Sequence, residues 1–284
     1  MDVKDIEIKL SRATTLPIFP SVVKEMLALS DNPNASARDY ERVISQDAAL
    51  AAKIMRTANS SYYSGSGNIT TIQRAVAQLG NNTIRSICLT AAFKSSLSSA
   101  KTNRSFDVGR YWQHCLGVAC SAKMMACVAK MPFAEEAFVA GLLHDLGKLA
   151  AAMFLPEETD RVKRIMDAKK ISQYDSEMLC WGITHQEIGL MVAIRWGLPD
   201  VYHLPISHHH TPYLDDGSID PLTAFIHVAN ALVTGIGLGM EPDGVELPVD
   251  EFAREQVGVP QEMYTKIAGV VSTEVSKLSE QMGT

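Results

Sequence analysis

The pair His144-Asp145, inside Gly141-Leu142-Leu143-His144-Asp145-Leu146-Gly147-Lys148, sets an imidazole beside a carboxylate at the end of an apolar stretch. Near a helix end both can reach one cation, and Gly147 would let the chain turn away behind them. A nitrogen and oxygen donor set suits iron, manganese, zinc or nickel better than calcium or magnesium, which favour all-oxygen shells. Lys148 follows closely enough to offer positive charge to a bound phosphate. His114 stands upstream in Tyr111-Trp112-Gln113-His114. His185 lies downstream in Thr184-His185-Gln186-Glu187-Ile188-Gly189, and Ser207-His208-His209-His210-Thr211-Pro212 carries three more imidazoles. Taken alone, His114 reads as a satisfied core residue and the triple histidine as an exposed polar turn. Adjacent histidines ahead of a proline-containing loop are also a metal-site layout, and together the residues can complete a metal shell.

The elements that must carry these side chains read as helices almost throughout, with apolar residues at three- and four-residue steps and few alternating stretches. The chain is expected to be all-α. A helix opens at Pro20-Ser21 and runs to about Ser30, stopped by Asp31-Asn32-Pro33-Asn34; Ser36 caps the next, through Ser45. Asp47 caps a short helix containing Leu50, Ile54 and Met55, which ends at Asn59-Ser60-Ser61. Thr70 or Thr71 begins a helix through Leu79, Gly80-Asn81-Asn82 breaks it, and Thr83 starts another to about Leu97. The small polar run at 98–105 marks a boundary near 104. It gives an N-terminal helical subdomain over 1–104 and a second helical subdomain over 105–284. In the second, long helices are expected at about 107–130, 133–152 and 157–169, then shorter ones near 172–180, 184–196, 200–207 and 220–234. Residues 235–250, rich in Gly, Pro and acids, read as a surface loop. A final helix at about 260–281 has Met263, Ile267, Val270, Val271 and Leu278 on one side, fit to dock on the body or on a second copy in a homodimer.

Composition narrows the class. The chain has 284 residues, 46% hydrophobic and 20% charged, which is ordinary globular composition and long enough to bury a core. Five cysteines without a Cys-x-x-Cys pair argue against a disulfide framework or a thiolate zinc site and read as buried free thiols. The N-terminus lacks the basic and apolar regions of a signal peptide, and the longest apolar run, residues 137–155, contains His144, Asp145 and Lys148, so a cytoplasmic protein with no membrane partner is expected. Residues 1–131 hold 16 Lys/Arg against 9 Asp/Glu, leaving 10 and 23 for the remainder, or +7 against −13. Without a dense Lys/Arg stripe and interleaved aromatics, that asymmetry reads as solvated faces rather than a nucleic-acid surface.

The order His114, His144-Asp145, His185, His209-His210 resembles the HD superfamily of metal-dependent phosphohydrolases. The first half narrows the resemblance. Leu16-Pro17-Ile18-Phe19-Pro20, Ile44-Ser45-Gln46-Asp47-Ala48-Ala49-Leu50, Asn59-Ser60-Ser61-Tyr62-Tyr63 and Ala75-Val76-Ala77-Gln78-Leu79-Gly80 resemble, in order, signatures of the HDOD domain, the HD-related output domain of bacterial signalling proteins. With Trp196-Gly197-Leu198-Pro199 and His209-His210-Thr211-Pro212 the resemblance covers about residues 12–235. It implies an HDOD fold, the N-terminal subdomain packed on an HD-like one. It also implies a metal shell of His114, His144, Asp145, His185, His209 and His210, with His208 an extra, closed by Asn230 where the superfamily has an aspartate. A neutral amide there weakens metal affinity. The Gly-Tyr-Pro segment of the related HD-GYP phosphodiesterases is absent, and Arg110 stands where that branch supplies an acidic ligand. The resemblance therefore implies a signalling output module that binds a partner protein or a nucleotide through a degenerate site. The alternative is a metal-dependent phosphohydrolase using Asp145 and Lys148 catalytically. Either would take a divalent transition metal, and no organic cofactor is expected.

Overall fold

The computed structural model describes residues 35–46, 48–59 and 69–281, together with Ile6, Ile8, Lys9, Glu25, Met26 and Leu29. Of the expected helix at 20–30 only Glu25, Met26 and Leu29 are described, each helical; the turn at 31–34, the Asp47 cap and residues 60–63 lie outside the described residues. Among those described the fold is all-α. Its one extended pairing is an isolated antiparallel bridge between Tyr213 and Ile219. The chain divides into two compact units, Leu16–Ala100 and Lys101–Thr284, the second joined by Met1–Thr15.

The smaller unit comprises α1 (Ala37–Ile44), α2 (Ala48–Ala58), α3 (Ile72–Leu79) and α4 (Asn81–Ser99). Its core gathers Tyr40, Val43, Ile44, Leu50, Ile54, Val76 and Ile84. At the start of α1 the Asp39 carboxylate accepts from the Ser36 backbone N–H at 2.9 Å, and Thr71 caps α3 by accepting from Arg74 N–H. After α2 the Asn59 side-chain carbonyl accepts from Ile69 N–H at 2.8 Å while its amide donates back to the Ile69 carbonyl. Helix α4 begins at Asn81 rather than the expected Thr83. Gly80, at φ 80°, makes the whole turn by itself, so both asparagines join the helix.

The larger unit comprises α5 (Val108–Val128), α6 (Ala134–Leu143), α7 (Leu146–Phe154), α8 (Pro156–Lys169), α9 (Gln173–Trp181), α10 (His185–Trp196), α11 (His203–His208), α12 (Pro221–Val233), α13 (Glu251–Val257) and α14 (Gln261–Gln281). Helix α5 is central, packed against α6, α12 and α14, while α10 packs on α7. Two of these approaches need glycine. A Cβ on Gly141 would lie 2.5 Å from the Ala119 Cα, and one on Gly147 would lie 1.8 Å from the His185 carbonyl oxygen. Gly147 thus serves close packing of α7 on α10. It sits inside a helix and does not make the turn expected of it.

Three further expectations change. The single helix expected over 133–152 is broken between Leu143 and Leu146, where Asp145 leaves helical geometry at φ −95°, ψ 17°. The loop after α12 is not all surface, because Glu241 is buried, and a short helix, α13, follows it. Of the five free cysteines, Cys88 and Cys115 are buried but Cys127 is exposed. Two stretches, Ala134–Phe154 and Pro221–Leu238, are long and apolar enough to cross a membrane, yet their most apolar windows are 83% and 67% buried inside the fold.

Candidate metal centre

The break between α6 and α7 is what lets two consecutive side chains point at one place. His144 ends α6 and Asp145 stands at the N-terminus of α7, both fully buried. Around Asp145 the structure gathers His114 from α5, His185 from the first residue of α10, and His209 and His210 from the end of α11. Asp145 Oδ2 lies 3.4 Å from His114 Nε2 and 3.4 Å from His144 Nε2. Asp145 Oδ1 lies 3.4 Å from His185 Nε2 and 3.4 Å from His209 Nε2. Two groups with ligand-type atoms within 4.8 Å of one another result, Asp145/His185/His209/His210 and His114/His144/Asp145, with the carboxylate common to both.

Each ring is aimed by what its other nitrogen meets. His144 Nδ1 faces the Gly141 carbonyl at 2.8 Å, His114 Nδ1 the Leu238 carbonyl at 3.2 Å, and His209 Nδ1 the Pro205 and Ile206 carbonyls, each at 3.1 Å. A carbonyl can only accept, so each Nδ1 carries the proton and each Nε2 presents a lone pair to the centre. His185 is held harder: its Nδ1 is 2.6 Å from Glu177 Oε2, which also accepts from the His185 backbone N–H at 2.7 Å. Gln173 bonds the other Glu177 oxygen at 2.7 Å. Gln186 fixes the histidine turn, accepting from His210 N–H at 2.8 Å and donating to the Ser207 carbonyl.

The centre carries its own cation. Lys148, one turn into α7, places Nζ 2.9 Å from Asp145 Oδ2 and 3.9 Å from Glu241 Oε1, and is 2% exposed. Burial opposes its charge, but Asp145 and Glu241 outweigh it and hold the ammonium above its ordinary value. Burial likewise opposes the Asp145 charge, while the Lys148 ammonium beside it holds the carboxyl well below the usual range. Burial pushes His114 down to about 4 and His209 down to about 3, keeping both rings neutral.

Asn230 lies on α12, one turn beyond His227, 2% exposed and with its side-chain carbonyl unpartnered. His114 Nε2, His144 Nε2 and Asp145 Oδ1 also lack a hydrogen bond, while Oδ2 meets the Lys148 ammonium. The orphaned acceptors of His114, His144 and Asp145, which lie within 4.8 Å of one another, fit a transition metal whose binding would satisfy them. Other singled-out residues stand apart. His208 turns to the Ser207 hydroxyl and His203 to the Leu198 carbonyl. Arg110 donates to the Gly239 carbonyl at 2.8 Å. His227 bridges the site to α13: Nδ1 donates to the His209 carbonyl at 2.8 Å and Nε2 accepts from Asp250 N–H at 2.9 Å.

Two buried carboxylates escaped the sequence reading. Glu177 sits one helical turn after Gln173 in α9, a spacing that marks one helix face but says nothing of His185. Glu241 accepts from Gln173 N–H at 2.7 Å, yet in sequence it is one acid among several in a Gly/Pro-rich loop.

A family model, that of the HDOD domain, matches residues 16–212. A functionally uncharacterised protein of Treponema pallidum (strain Nichols) is 25% identical over 229 residues, 78% of this chain and 43% of its own length. The chain spans less than half the length of the curated relatives it matches. Among solved structures, an HDOD domain protein of unknown function from Geobacter sulfurreducens superposes with a TM-score of 0.77 at 24% identity, covering 97% of each chain. A candidate signal-transduction protein from Marinobacter aquaeolei VT8 gives 0.77 at 22% identity, covering 99% of this chain and 65% of that one. Likenesses at these identities speak to the fold.

Proposed function

Because the chain belongs to the HDOD domain family, we propose that it is a signal-transduction output module that engages a partner protein or a nucleotide, with its histidine–aspartate cluster holding a divalent transition metal inside the fold. The observation that carries this reading is enclosure. His144, Asp145, His185 and His209 are 0% exposed, and of the donor set His210 alone is part-buried, so a phosphoester would meet the cluster only at its His210 edge. The charge balance points the same way. Asn230 offers a neutral oxygen, and the one carboxylate inside the donor set is already paired with Lys148.

His114, His144, Asp145, His185, His209 and His210 would hold the metal, with Asn230 as a neutral further donor. When bound, such an ion supplies Lewis acidity. Burial keeps the His114 and His209 rings neutral, and the partners at Nδ1 fix the tautomers of His114, His144, His185 and His209.

The second reading, a metal-dependent phosphohydrolase, draws on the orphaned donors and on Lys148, whose buried ammonium suits a phosphoryl oxygen. Its substrate would be a phosphomonoester or phosphodiester. One experiment separates the two. Metal-reconstituted protein assayed on a broad phosphoester panel is expected to show no turnover above the background of the His144→Ala variant. Enzyme-like turnover that His144→Ala abolishes would overturn the output-module reading.

A further inference from the structure

A cavity of about 60 Å3 lies within the larger unit, and neither Asp145 nor any histidine lines it. Ser105, Phe106 and Asp107 lead along it into α5, and Arg110 stands in the first turn of that helix. Thr159, Val162, Lys163 and Met166 share one face of α8, at steps of three and four residues. Gln173 opens α9, and Met240 comes from the loop after α12.

The walls divide by chemistry. Phe106, Val162 and Met166 are buried apolar side chains, and against them stand the charges of Arg110 and Lys163. The Gly239 carbonyl takes one of the several N–H donors of the Arg110 guanidinium, at 2.8 Å. Lys163 pairs with Asp167 at 2.5 Å, but both side chains reach solvent, and such a pair is weak. The lining acid, Asp107, is turned to its own helix, where Oδ1 accepts from Arg110 N–H at 2.9 Å. Thr159 adds an unmet need. It is 7% exposed and its hydroxyl has no hydrogen-bond partner, although a helical threonine can bond the carbonyl one turn back. A buried hydroxyl left unpaired is costly and calls for a partner. An anionic oxygen is the acceptor that the guanidinium, the ammonium and this hydroxyl have in common. Volume bounds the rest of the ligand. An apolar cavity of about 150 Å3 holds benzene, so 60 Å3 admits one anionic group with a few carbons and not the base and ribose of a nucleotide.

We infer that this cavity binds a small organic anion, a phosphate or carboxylate on a short apolar chain, with Arg110, Lys163 and Thr159 at the anionic oxygens and Phe106, Val162 and Met166 around the carbons. The inference goes beyond the output-module reading and does not depend on metal in the cluster. It gives the chain a small-molecule input, tied to the centre by one lining residue. Gln173 donates its backbone N–H to Glu241 and its side-chain amide to Glu177, each at 2.7 Å. Those carboxylates stand behind Lys148 and His185.

The test titrates the full chain, in chelator, with propylphosphonate, butyrate and propanol, which carry the same propyl chain; the phosphonate has no ester to cleave. Methionine methyl signals are followed by NMR, with Met166 and Met240 identified by substitution to Leu. Both anions are expected to move these two signals saturably, and propanol to leave them in place. Whichever anion binds tighter identifies the head group. Thr159→Val should weaken binding about 10-fold, the lower end for a hydrogen bond to a charged group. It should also raise the melting temperature of the free chain, because it removes an unpaired buried hydroxyl. A merely structural role for Thr159 would instead lower the melting temperature and leave anion binding unchanged. Lys163→Gln, on a side chain that reaches solvent, should weaken binding by a similar factor. No saturable shift with either anion, equal shifts with propanol, or full affinity in both variants would overturn the inference. Those outcomes leave the output-module reading where it stands, since the phosphoester panel tests it separately.

Discussion

At the scale of single residues, the site depends on side chains that never meet the ion. Glu177 has no exposure, and one of its oxygens takes both the ring and the backbone N–H of His185. Such a carboxylate fixes the tautomer and raises the basicity of the facing nitrogen. Glu177→Gln keeps an oxygen that can accept but removes the charge, so it separates electronic support from shape. The expected outcome is a metal affinity about 10- to 100-fold weaker, with the metal-free melting temperature little changed. Calorimetric titration with Zn2+ beside a melt in chelator checks both parts. An affinity within about twofold of the unmodified chain would show that the hydrogen bond alone suffices. The effect comes from a buried carboxylate whose Oε2 has one partner ring.

At the scale of elements, two helices deliver the site by starting where the sequence breaks. The periodicity of residues 133–152 reads as one helix because both halves are apolar on the faces that pack. What divides them is the tertiary demand on His144 and Asp145, which no periodicity records. The ends of α5, α8, α10, α12 and α14 were legible because apolar spacing is local, and the structure adds caps at three of them: Asp107, Thr184 and Asp220 each accept from a first-turn N–H. Likewise the histidines and Asp145 were legible as a set through their order. Glu177, Glu241 and the packing role of Gly147 were not, since each acts across a contact distant in sequence. That role is directly testable. Gly147→Ala sets a Cβ 1.8 Å from the His185 carbonyl oxygen and 2.7 Å from Gly189 N, and neither backbone atom can rotate away. The expected cost is about 3 kcal/mol, at the upper end of overpacking effects, read as a lower urea midpoint. Because the displaced residue is His185, metal affinity should fall with it; an unchanged midpoint would show that α7 and α10 can separate freely.

For the whole molecule, the buried rings couple stability to pH. Burial lowers His114 to about 4 and His209 to about 3, and lowers His227 as well. In the unfolded chain these rings titrate near 6.5, so below that pH the unfolded state binds more protons than the folded one. A folded value depressed in this way contributes stability that is present above pH 6.5 and is lost as pH falls towards the folded values. Each ring contributes a slope of about 1.4 kcal/mol per pH unit inside its window. Asp145, held well below its ordinary 3.8, adds loss in the same direction only at lower pH. The metal-free chain should therefore show a urea midpoint that is level from pH 7 to 8 and falls steeply between about 6 and 4. His209→Gln should flatten that fall, because an amide takes up no proton in the window. Bound metal should deepen it, since protons compete for the same nitrogens and an ion that binds only the folded state stabilises it by mass action. A midpoint indifferent to pH across 6 to 4, with and without metal, would mean that the rings are open to protons in the folded chain and that the enclosure on which the output-module reading stands does not hold in solution.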